Sequence, residues 1–359
     1  MIKTDFKVYR LGPIAAFDSS AHSIHQISLS AYFAKYGVDS YLYLRNLEPG
    51  KGREELSAFI GIEFNHHLHL FLSSGHKGLA SLKNFIELVK DLKSNQYSNN
   101  WVFLTKADHV VKLSKLKGLL NFKIVFENHQ DKLFLEAVKR ADLTYVVSPK
   151  VYDELKEMPK VKLWTYHHPV RDEFINLSRD FKQKEEYTLG YVGSLNPEKG
   201  IDFLLKAIRN LPVKLKVIGG KAERVEKAFE LARRYGVHKR VKFTGFIPQD
   251  LIPLELADVD IMVAPFTTKQ KTIPLKVYEY LAMGIPTIAS DIRPVRIVAK
   301  DYFFYYKPED EKSFIEAFRR VTENPERTKE LMVKSKVYGK QFHWREVVKK
   351  ILSDLVKVG

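Results

Sequence analysis

A short segment before residue 284 carries residue types suited to phosphate and ribose chemistry. Residues 274–276 (Pro-Leu-Lys) form a turn, and Glu279 follows early in a predicted helix that Gly284 ends. The first turn of a helix has unpaired backbone N–H groups and a partial positive charge, which suit a phosphate. A carboxylate one turn further along can reach the hydroxyls of a ribose. The spacing therefore predicts a site for a nucleoside diphosphate.

Three glycine-containing loops precede this segment, and each follows a strand-like run. They are residues 193–200 (Gly-Ser-Leu-Asn-Pro-Glu-Lys-Gly), 219–220 (Gly-Gly) and 244–248 (Thr-Gly-Phe-Ile-Pro). Glycine lets a backbone approach a ligand closely, and Lys199 supplies a point charge for a phosphate. Each loop alone is weak evidence, since a glycine after a strand usually serves a turn. Their order within one predicted domain, together with the helix start, is the stronger signal.

Strands and helices alternate through both halves of the chain, which predicts α/β architecture with parallel sheets. The join between the halves is expected within residues 167–181, giving domains at 1–168 and 169–343. A final amphipathic helix over residues 344–356 lies outside the alternation. Ligands of doubly wound sheets bind beyond the carboxyl ends of the strands, where the loops described above would lie. The strands predicted from apolar runs are residues 6–11, 38–44, 101–104, 123–126, 143–147, 188–192, 215–218, 241–244, 261–264 and 286–289.

Composition narrows the class of protein. The chain has 359 residues with 45% hydrophobic and 28% charged residues, values typical of a globular protein of two domains. It contains no cysteine, which excludes disulfides, thiolate catalysis and cysteine-bound zinc. No secretory signal or membrane-spanning run is recognisable, so a cytoplasmic enzyme is expected.

The net charge of +16 leaves three interpretations open. These are nucleic-acid binding, peripheral contact with an anionic membrane at its inner face, and a lysine-rich surface without a specific partner. Nucleic acid is disfavoured because the charges are interspersed with acids and no zinc-finger, homeodomain or RNP1 pattern occurs.

The loops of the second half resemble the nucleotide-sugar domain of GT-B glycosyltransferases, specifically retaining glycosyltransferase family 4 (glycosyl transferases group 1). The similar segments are residues 191–200, 241–246, 257–266 and 274–286. The resemblance implies two Rossmann-like domains that face a central cleft, with the nucleotide-sugar donor on the second and the acceptor on the first. It also implies that the last helix crosses back to the first domain.

The resemblance implies roles for individual residues. Lys199 would hold the diphosphate, Glu279 the ribose hydroxyls, the loop at Phe246 and Ile247 the base, and the backbone at residues 274–276 the phosphates. A histidine at the end of a first-domain strand, here His129, would lie near the donor sugar. The complete predicted set comprises the catalytic residues His129, Lys199 and Glu279 and the donor-binding residues Gly12, Gly193, Ser194, Lys199, Gly219, Phe246, Ile247, Pro274, Leu275, Lys276 and Glu279.

Two positions depart from the family pattern. Ser194 stands where arginine is frequent, and Lys271 stands where a first glutamate is frequent. Relatives with a Pro-Leu-Lys-x-x-Glu-Tyr pattern also lack that glutamate, so its absence is compatible with activity. Lys271 or Lys276 is a hypothetical replacement for the missing charge.

Histidines occur in three groups: His22 with His25, residues 66–69, and His167 with His168. Metal binding is the less favoured interpretation because no group supplies the complete set of ligands that a site needs. Solvated histidines, or histidines that line a cleft, are expected instead. No cofactor and no catalytic metal are expected.

The predicted function is transfer of a hexose from a UDP-, GDP- or ADP-sugar to an acceptor hydroxyl with retention of anomeric configuration. The acceptor is a glycan, a lipid-linked molecule or a small solute. Two alternatives remain: a sugar-nucleotide epimerase of the same architecture, and a non-catalytic protein that binds nucleic acid or a partner.

Overall fold

The computed structural model describes residues 6–18, 20–46, 48–64, 67–72, 77–177 and 180–358, with the backbone alone at residues 13, 21, 72 and 77–81. The chain divides into two compact units. Unit 1 consists of Met1–Pro169 together with Trp344–Gly359, and unit 2 of Val170–His343. Each unit is built around one parallel sheet, which confirms the predicted α/β class with two doubly wound domains.

The sheet of unit 1 has the strand order β3-β2-β1-β4-β5-β6-β7 among the residues described, and all its pairings are parallel. Its elements are β1 Phe6–Ala16, α1 Ala21–Tyr36, β2 Asp39–Asn46, α2 Arg53–Ile60, β3 His67–Leu72, α3 Lys77–Ser94, β4 Asn99–Leu104, α4 Ala107–Ser114, β5 Lys123–Asn128, α5 Leu135–Arg140, β6 Leu143–Val146, α6 Pro149–Leu155 and β7 Val161–Leu163.

Local signals set the ends of these helices. The Ser20 hydroxyl accepts a hydrogen bond from the Ser23 amide at 3.2 Å, which caps the start of α1. Gly37, at φ +98°, ends the same helix in the left-handed conformation. Ser148 caps α6 in the same way and Pro149 occupies its first turn.

The sheet of unit 2 has the strand order β10-β9-β8-β11-β12-β13 in the described part of the chain, again with parallel pairing. Its elements are α7 Asp172–Ile175, β8 Tyr187–Val192, α8 Ile201–Ala207, β9 Val213–Ile218, α9 Ala222–Arg234, β10 Val241–Gly245, α10 Ile252–Glu255, β11 Ile261–Ala264, α11 Lys276–Met283, β12 Thr287–Ser290, α12 Arg293–Ala299, β13 Phe304–Tyr306, α13 Glu311–Thr322 and α14 Pro325–Gly339.

The strand order of unit 2 reverses between β8 and β11, which are neighbours in the sheet. The strands β9 and β10 extend the sheet on one side, and β12 and β13 extend it on the other. At such a reversal the loops after the two central strands leave in opposite directions and open a crevice at the carboxyl edge. The loop at residues 193–200 and the segment before α11 follow these two strands.

The last helix, α15 (Trp344–Val358), packs in unit 1. The Trp344 ring stacks on Tyr32 with centroids 5.3 Å apart. Asp354 accepts hydrogen bonds from Tyr145 at 2.9 Å, from Tyr166 and from Lys162. The helix therefore contributes both apolar area and a buried polar anchor to the core of this unit. Across the residues described, the structure contains no helix with the length and apolar character required to cross a bilayer.

Candidate functional site

Lys199 is held at the end of the loop that follows β8. The 3₁₀ turn Pro197–Lys199 ends at Gly200, whose φ is +75°. A Cβ atom on Gly200 would lie 1.6 Å from the Pro265 carbonyl oxygen, so this close approach of two loops requires glycine. The Lys199 ammonium donates to Gln270 Oε1 at 2.7 Å. Burial lowers the pKa of Lys199, while the neighbouring Glu198 carboxylate acts to raise it.

The segment before α11 is joined to this lysine loop. The Thr267 amide donates to the Glu198 carbonyl at 3.1 Å, in addition to the bond between Lys199 and Gln270. The Gln270 amide donates in turn to the Thr272 carbonyl at 2.6 Å. The loops after the two central strands of unit 2 are therefore held together by hydrogen bonds. Lys199 lies in this junction at the crevice of the sheet.

The helix α11 begins at Lys276 and places Glu279 in its first turn. Glu279 is only 2% exposed, and Lys276 donates to its Oε2 at 2.8 Å. The next residue is Tyr280, whose hydroxyl accepts a hydrogen bond from the Val192 amide at 3.0 Å and so fixes the helix against the end of β8. The predicted pair of a helix start and a carboxylate is thus present, with a lysine shared between them.

The glycine loops after β8, β9 and β10 meet through their backbones. The Gly193 amide donates to the Ile218 carbonyl at 2.9 Å and the Gly219 amide to the Gly245 carbonyl at 2.8 Å. Gly219 has φ +103°, and a Cβ there would lie 2.5 Å from the Gly193 carbonyl oxygen. The structure therefore brings the predicted residues Gly193 and Gly219 into direct contact.

The other predicted residues of unit 2 lie on the same loops with differing exposure. Phe246 follows Gly245 and is 41% exposed, and Ile247 beside it is half-buried. Ser194 is exposed, Pro274 is buried and Leu275 is half-buried. The exposed Lys271 donates to the Thr268 carbonyl at 2.8 Å.

Gly12 is where the sequence prediction needs correction. It was expected in a loop after a strand ending at Leu11, but β1 continues to Ala16 and contains it. The pairing of β1 with β2 shifts register between Leu11 and Ala15. A Cβ on Gly12 would lie 2.7 Å from Thr105 Oγ1, so the glycine permits close packing next to the end of β4. The loop placement was therefore wrong and the glycine has a packing role here, while donor binding by Gly12 stays a prediction.

His129 follows β5 in unit 1 and borders a buried polar group. Its Nε2 lies 3.1 Å from Gln26 Nε2 and 3.5 Å from Glu127 Oε2. Glu127 pairs with Arg10, and both side chains are 0% exposed. Burial acts to raise the pKa of Glu127, but the Arg10 charge and hydrogen bonds outweigh it and lower the pKa to about 2. Glu127 is therefore a carboxylate at neutral pH.

Most histidines around His129 are buried, so of the two expectations, solvated rings or rings that line a cleft, the first is wrong for these residues. Three of them are almost inaccessible: His25, His167 and His168. His25 lies 5.7 Å from the His129 ring and 5.8 Å from Trp164 between centroids. Burial lowers the pKa of His22 to about 4 and that of His167 to about 3. Sequence spacing missed this cluster because its members come from α1, the end of β5 and the segment after β7.

The arrangement of the histidines can be compared with the geometry of a metal site. No group of three or more His, Asp or Glu side chains with a geometry for holding a metal occurs among the residues that the structure describes. His66 lies outside the described residues. His67 and His69 instead face carboxylates, at 3.2 Å from Asp39 and 3.2 Å from Asp91 respectively.

Sequence comparison identifies the domain that carries the crevice of unit 2. The family described as "Glycosyl transferases group 1" matches residues 174–338. This segment is a glycosyl transferases group 1 domain.

Curated relatives of this group 1 domain are remote. The chain is 22% identical over 181 residues to alpha-D-kanosaminyltransferase of Streptomyces kanamyceticus, covering 46% of each protein. It is 28% identical over 126 residues to an uncharacterized glycosyltransferase of Methanocaldococcus jannaschii, covering 34% of this chain and 32% of that protein. The chain therefore spans under half the length of each of these two curated relatives.

Solved structures match over nearly the whole chain. Sucrose-phosphate synthase from Thermosynechococcus elongatus has a TM-score of 0.72 at 18% identity, with 97% of this chain and 98% of that chain covered. Anabaena HepE in complex with UDP and glucose has a TM-score of 0.70 at 14% identity, with 98% and 99% covered. The pneumococcal O-GlcNAc transferase GtfA in complex with UDP and GlcNAc gives 0.74 at 11%, with 98% and 99% covered. The fold is therefore that of the GT-B glycosyltransferases.

Proposed function

We propose that this chain is a glycosyltransferase that moves a sugar from a nucleoside-diphosphate sugar to an acceptor hydroxyl. The observation that carries the proposal is the junction between Lys199 and Gln270, in the segment that leads into α11, at the strand-order reversal of the group 1 domain. A half-buried cation on a loop that is hydrogen-bonded to the segment before a helix start is an arrangement that suits a diphosphate. The UDP-bound structures with this fold support a nucleotide ligand for this domain.

Lys199 and the start of α11 would stabilise the leaving group. When the bond from the anomeric carbon to the diphosphate breaks, negative charge builds on the β-phosphate. A partly desolvated ammonium and oriented backbone N–H groups stabilise such charge without reorganisation of water. Because burial lowers the pKa of Lys199, an anionic ligand beside it would act in the opposite direction and favour the charged form. These groups supply the positive charge, so the proposal needs no catalytic metal.

Glu279 would bind the ribose, and the loop after β10 would bind the base. One Glu279 oxygen bonds Lys276, so that lysine orients the carboxylate. The exposed Phe246 ring and the neighbouring Ile247 offer an apolar contact for a base. Lys276 also carries a positive charge at the helix start. This charge would compensate for the arginine that is frequent in the family at the position of Ser194.

The finer features follow the family resemblance. We propose that the chain acts as a retaining enzyme of family 4, uses a hexose donor and involves His129 in turnover. The acceptor is a glycan, a lipid-linked molecule or a small solute, and contact with an anionic membrane would suit the net charge of +16. Attack on the same face of an oxocarbenium-like sugar needs no enzyme nucleophile, so none is assigned.

A thermal-shift screen of UDP-, GDP- and ADP-sugars tests sugar-donor binding. A sugar nucleotide that binds only the folded protein should stabilise it by about 2.7 kcal/mol when present at 100 times its Kd. The melting temperature should rise accordingly. Glu279→Ala should remove the shift, whereas His129→Ala should keep most of it and lose turnover. The control Glu316→Ala changes an exposed glutamate of α13 and should behave as the parent protein.

Two outcomes would reject the proposal. One is an undiminished ligand shift in Glu279→Ala, which would place the nucleotide elsewhere. The other is a sugar nucleotide that binds but is converted only to an isomer, which would identify an epimerase. The anomeric configuration of the product, read by NMR coupling constants, tests retention separately.

A further inference from the structure

A buried ion pair in unit 1 sets the hydrogen-bonding pattern around it. Arg10 Nη1 donates to both carboxylate oxygens of Glu127, at 2.9 and 2.8 Å. A guanidinium has only donors, and an ionised carboxylate has only acceptors. Any amide placed between the two must therefore turn its oxygen toward Arg10 and its nitrogen toward Glu127.

Gln26 is the amide in that position, and it is 0% exposed. Its Oε1 accepts from Arg10 Nη1, and its Nε2 donates to Glu127 Oε2 at 2.8 Å. Both contacts require the same orientation of the amide, since the reverse would set donor against donor and acceptor against acceptor. The chemistry of the two charged neighbours thus fixes the Gln26 side chain.

The second N–H of this amide reaches His129. Gln26 Nε2 lies 3.1 Å from His129 Nε2, so this ring nitrogen must accept and cannot carry a proton. Glu127 Oε2 is the competing partner of the same ring nitrogen, but at 3.5 Å it is a poor acceptor for an N–H there. We infer that Arg10, Gln26 and Glu127 are positioning residues that hold His129 as the tautomer protonated on Nδ1.

This tautomer would have a consequence for ligand binding. The His129 side chain is 19% exposed, and no described residue makes a hydrogen bond to its Nδ1. The network would therefore present Nδ1–H as a hydrogen-bond donor to a ligand hydroxyl. Neighbouring rings restrict rotation of the imidazole, with His22 and His25 centroids at 5.1 and 5.7 Å. The tautomer stands independently, but its use in catalysis rests on the role proposed above for His129.

The tautomer is measurable in the unliganded chain of 359 residues. Long-range ¹H–¹⁵N correlation spectra of the ¹⁵N-histidine-labelled protein at neutral pH distinguish protonated from bare ring nitrogens. The His129 signals are identified by their loss in His129→Asn. The expected pattern is a bare Nε2 and a protonated Nδ1. A proton on Nε2, alone or on both nitrogens, would overturn the inference.

Gln26→Glu replaces the donor facing His129 with an acceptor. This variant should move a proton onto Nε2, whereas Gln96→Glu, an exposed glutamine of the same unit, should leave the spectrum unchanged. An unaltered His129 spectrum in folded Gln26→Glu would also overturn the inference. Displacement of a catalytic group costs on the order of 100-fold in rate, so kcat should fall with little change in the sugar-donor KM. A changed tautomer with unchanged kcat would retain the network and reject the catalytic role of His129.

Discussion

At the scale of single residues, Lys199 shows how position determines chemistry. Its ammonium is partly withdrawn from water, and burial lowers its pKa. A charge in such a place is unfavourable for stability unless partners compensate. Here Gln270 accepts a hydrogen bond from Lys199 at 2.7 Å, and the Glu198 carboxylate lies 3.9 Å from the ammonium. A lysine kept under these conditions is ready for an anion, which is why it supports the proposed diphosphate site.

Alanine substitutions at Gly200 and Gly236 distinguish the cost of backbone strain from the cost of a steric clash. Gly200 and Gly236 have similar φ angles of +75° and +71°, but only Gly200 of the two faces another loop, where a Cβ atom would lie 1.6 Å from the Pro265 carbonyl oxygen. Gly236→Ala should lose about 1–2 kcal/mol of unfolding free energy, the usual cost of a left-handed residue with a side chain.

Gly200→Ala should lose clearly more unfolding free energy than Gly236→Ala, because the loops that contain Gly200 and Pro265 must also separate. It should weaken sugar-nucleotide binding as well, since Lys199 precedes it. Urea unfolding and ligand-induced thermal shift of both variants check this. Equal losses of stability would contradict the packing that we describe.

At the residue scale, a sequence can name candidate site residues where the signal is local, and the roles of those candidates stay predictions. Glu279 and Lys199 could be recognised because a strand, a glycine and a helix start lie within a few residues of them. Arg10, Gln26 and Glu127 could not, because they come from β1, α1 and β5 and become neighbours only when the sheet of unit 1 forms. Contacts between distant segments have no spacing signal in one sequence.

At the scale of elements, the strong periodic signals were sufficient for most strands. Residues 261–264 were predicted as the strand that is observed as β11. The strand β3 was not predicted, since its alternating His-Leu pattern lies in a polar region, and neither was β7, which has three residues. Short edge strands have few apolar positions, so their formation depends on the neighbouring strand rather than on their own sequence.

A prediction at the scale of elements concerns how Asp354 anchors the helix α15. Asp354 accepts from the buried Tyr145 hydroxyl at 2.9 Å, so Asp354→Ala leaves that hydroxyl without this partner. Such a loss costs about 1–3 kcal/mol. The control Glu346→Ala, on the same helix, removes an exposed pair with Lys349 worth about 0–1 kcal/mol. In denaturant unfolding, Asp354→Ala should have a clearly lower free energy of unfolding than the control. Both variants should retain sugar-nucleotide binding by unit 2. A reversed order of stability would refute the anchoring role.

At the scale of the whole molecule, the buried histidines link stability to pH. Burial lowers the pKa of His22 to about 4, that of His167 to about 3 and that of His25 well below its usual value. The unfolded chain, with histidine pKa near 6.5, therefore binds more protons than the folded chain in acid. This contribution to stability is fully present above pH 6.5. It is lost as pH falls from 6.5 toward 4 for His22 and toward 3 for His167.

Acid unfolding should consequently begin well above the range in which carboxylates titrate. Each neutral buried histidine contributes about 1.4 kcal/mol per pH unit within its window, so the cluster produces a steep fall in the free energy of unfolding. His25→Phe keeps an aromatic ring beside Trp164. It should reduce the slope of unfolding free energy against pH, between pH 6.5 and 4, by the contribution of one histidine, about 1.4 kcal/mol per pH unit. Urea unfolding at a series of pH values measures the slopes, and a flat profile above pH 4 would show that the cluster is not held neutral by the fold.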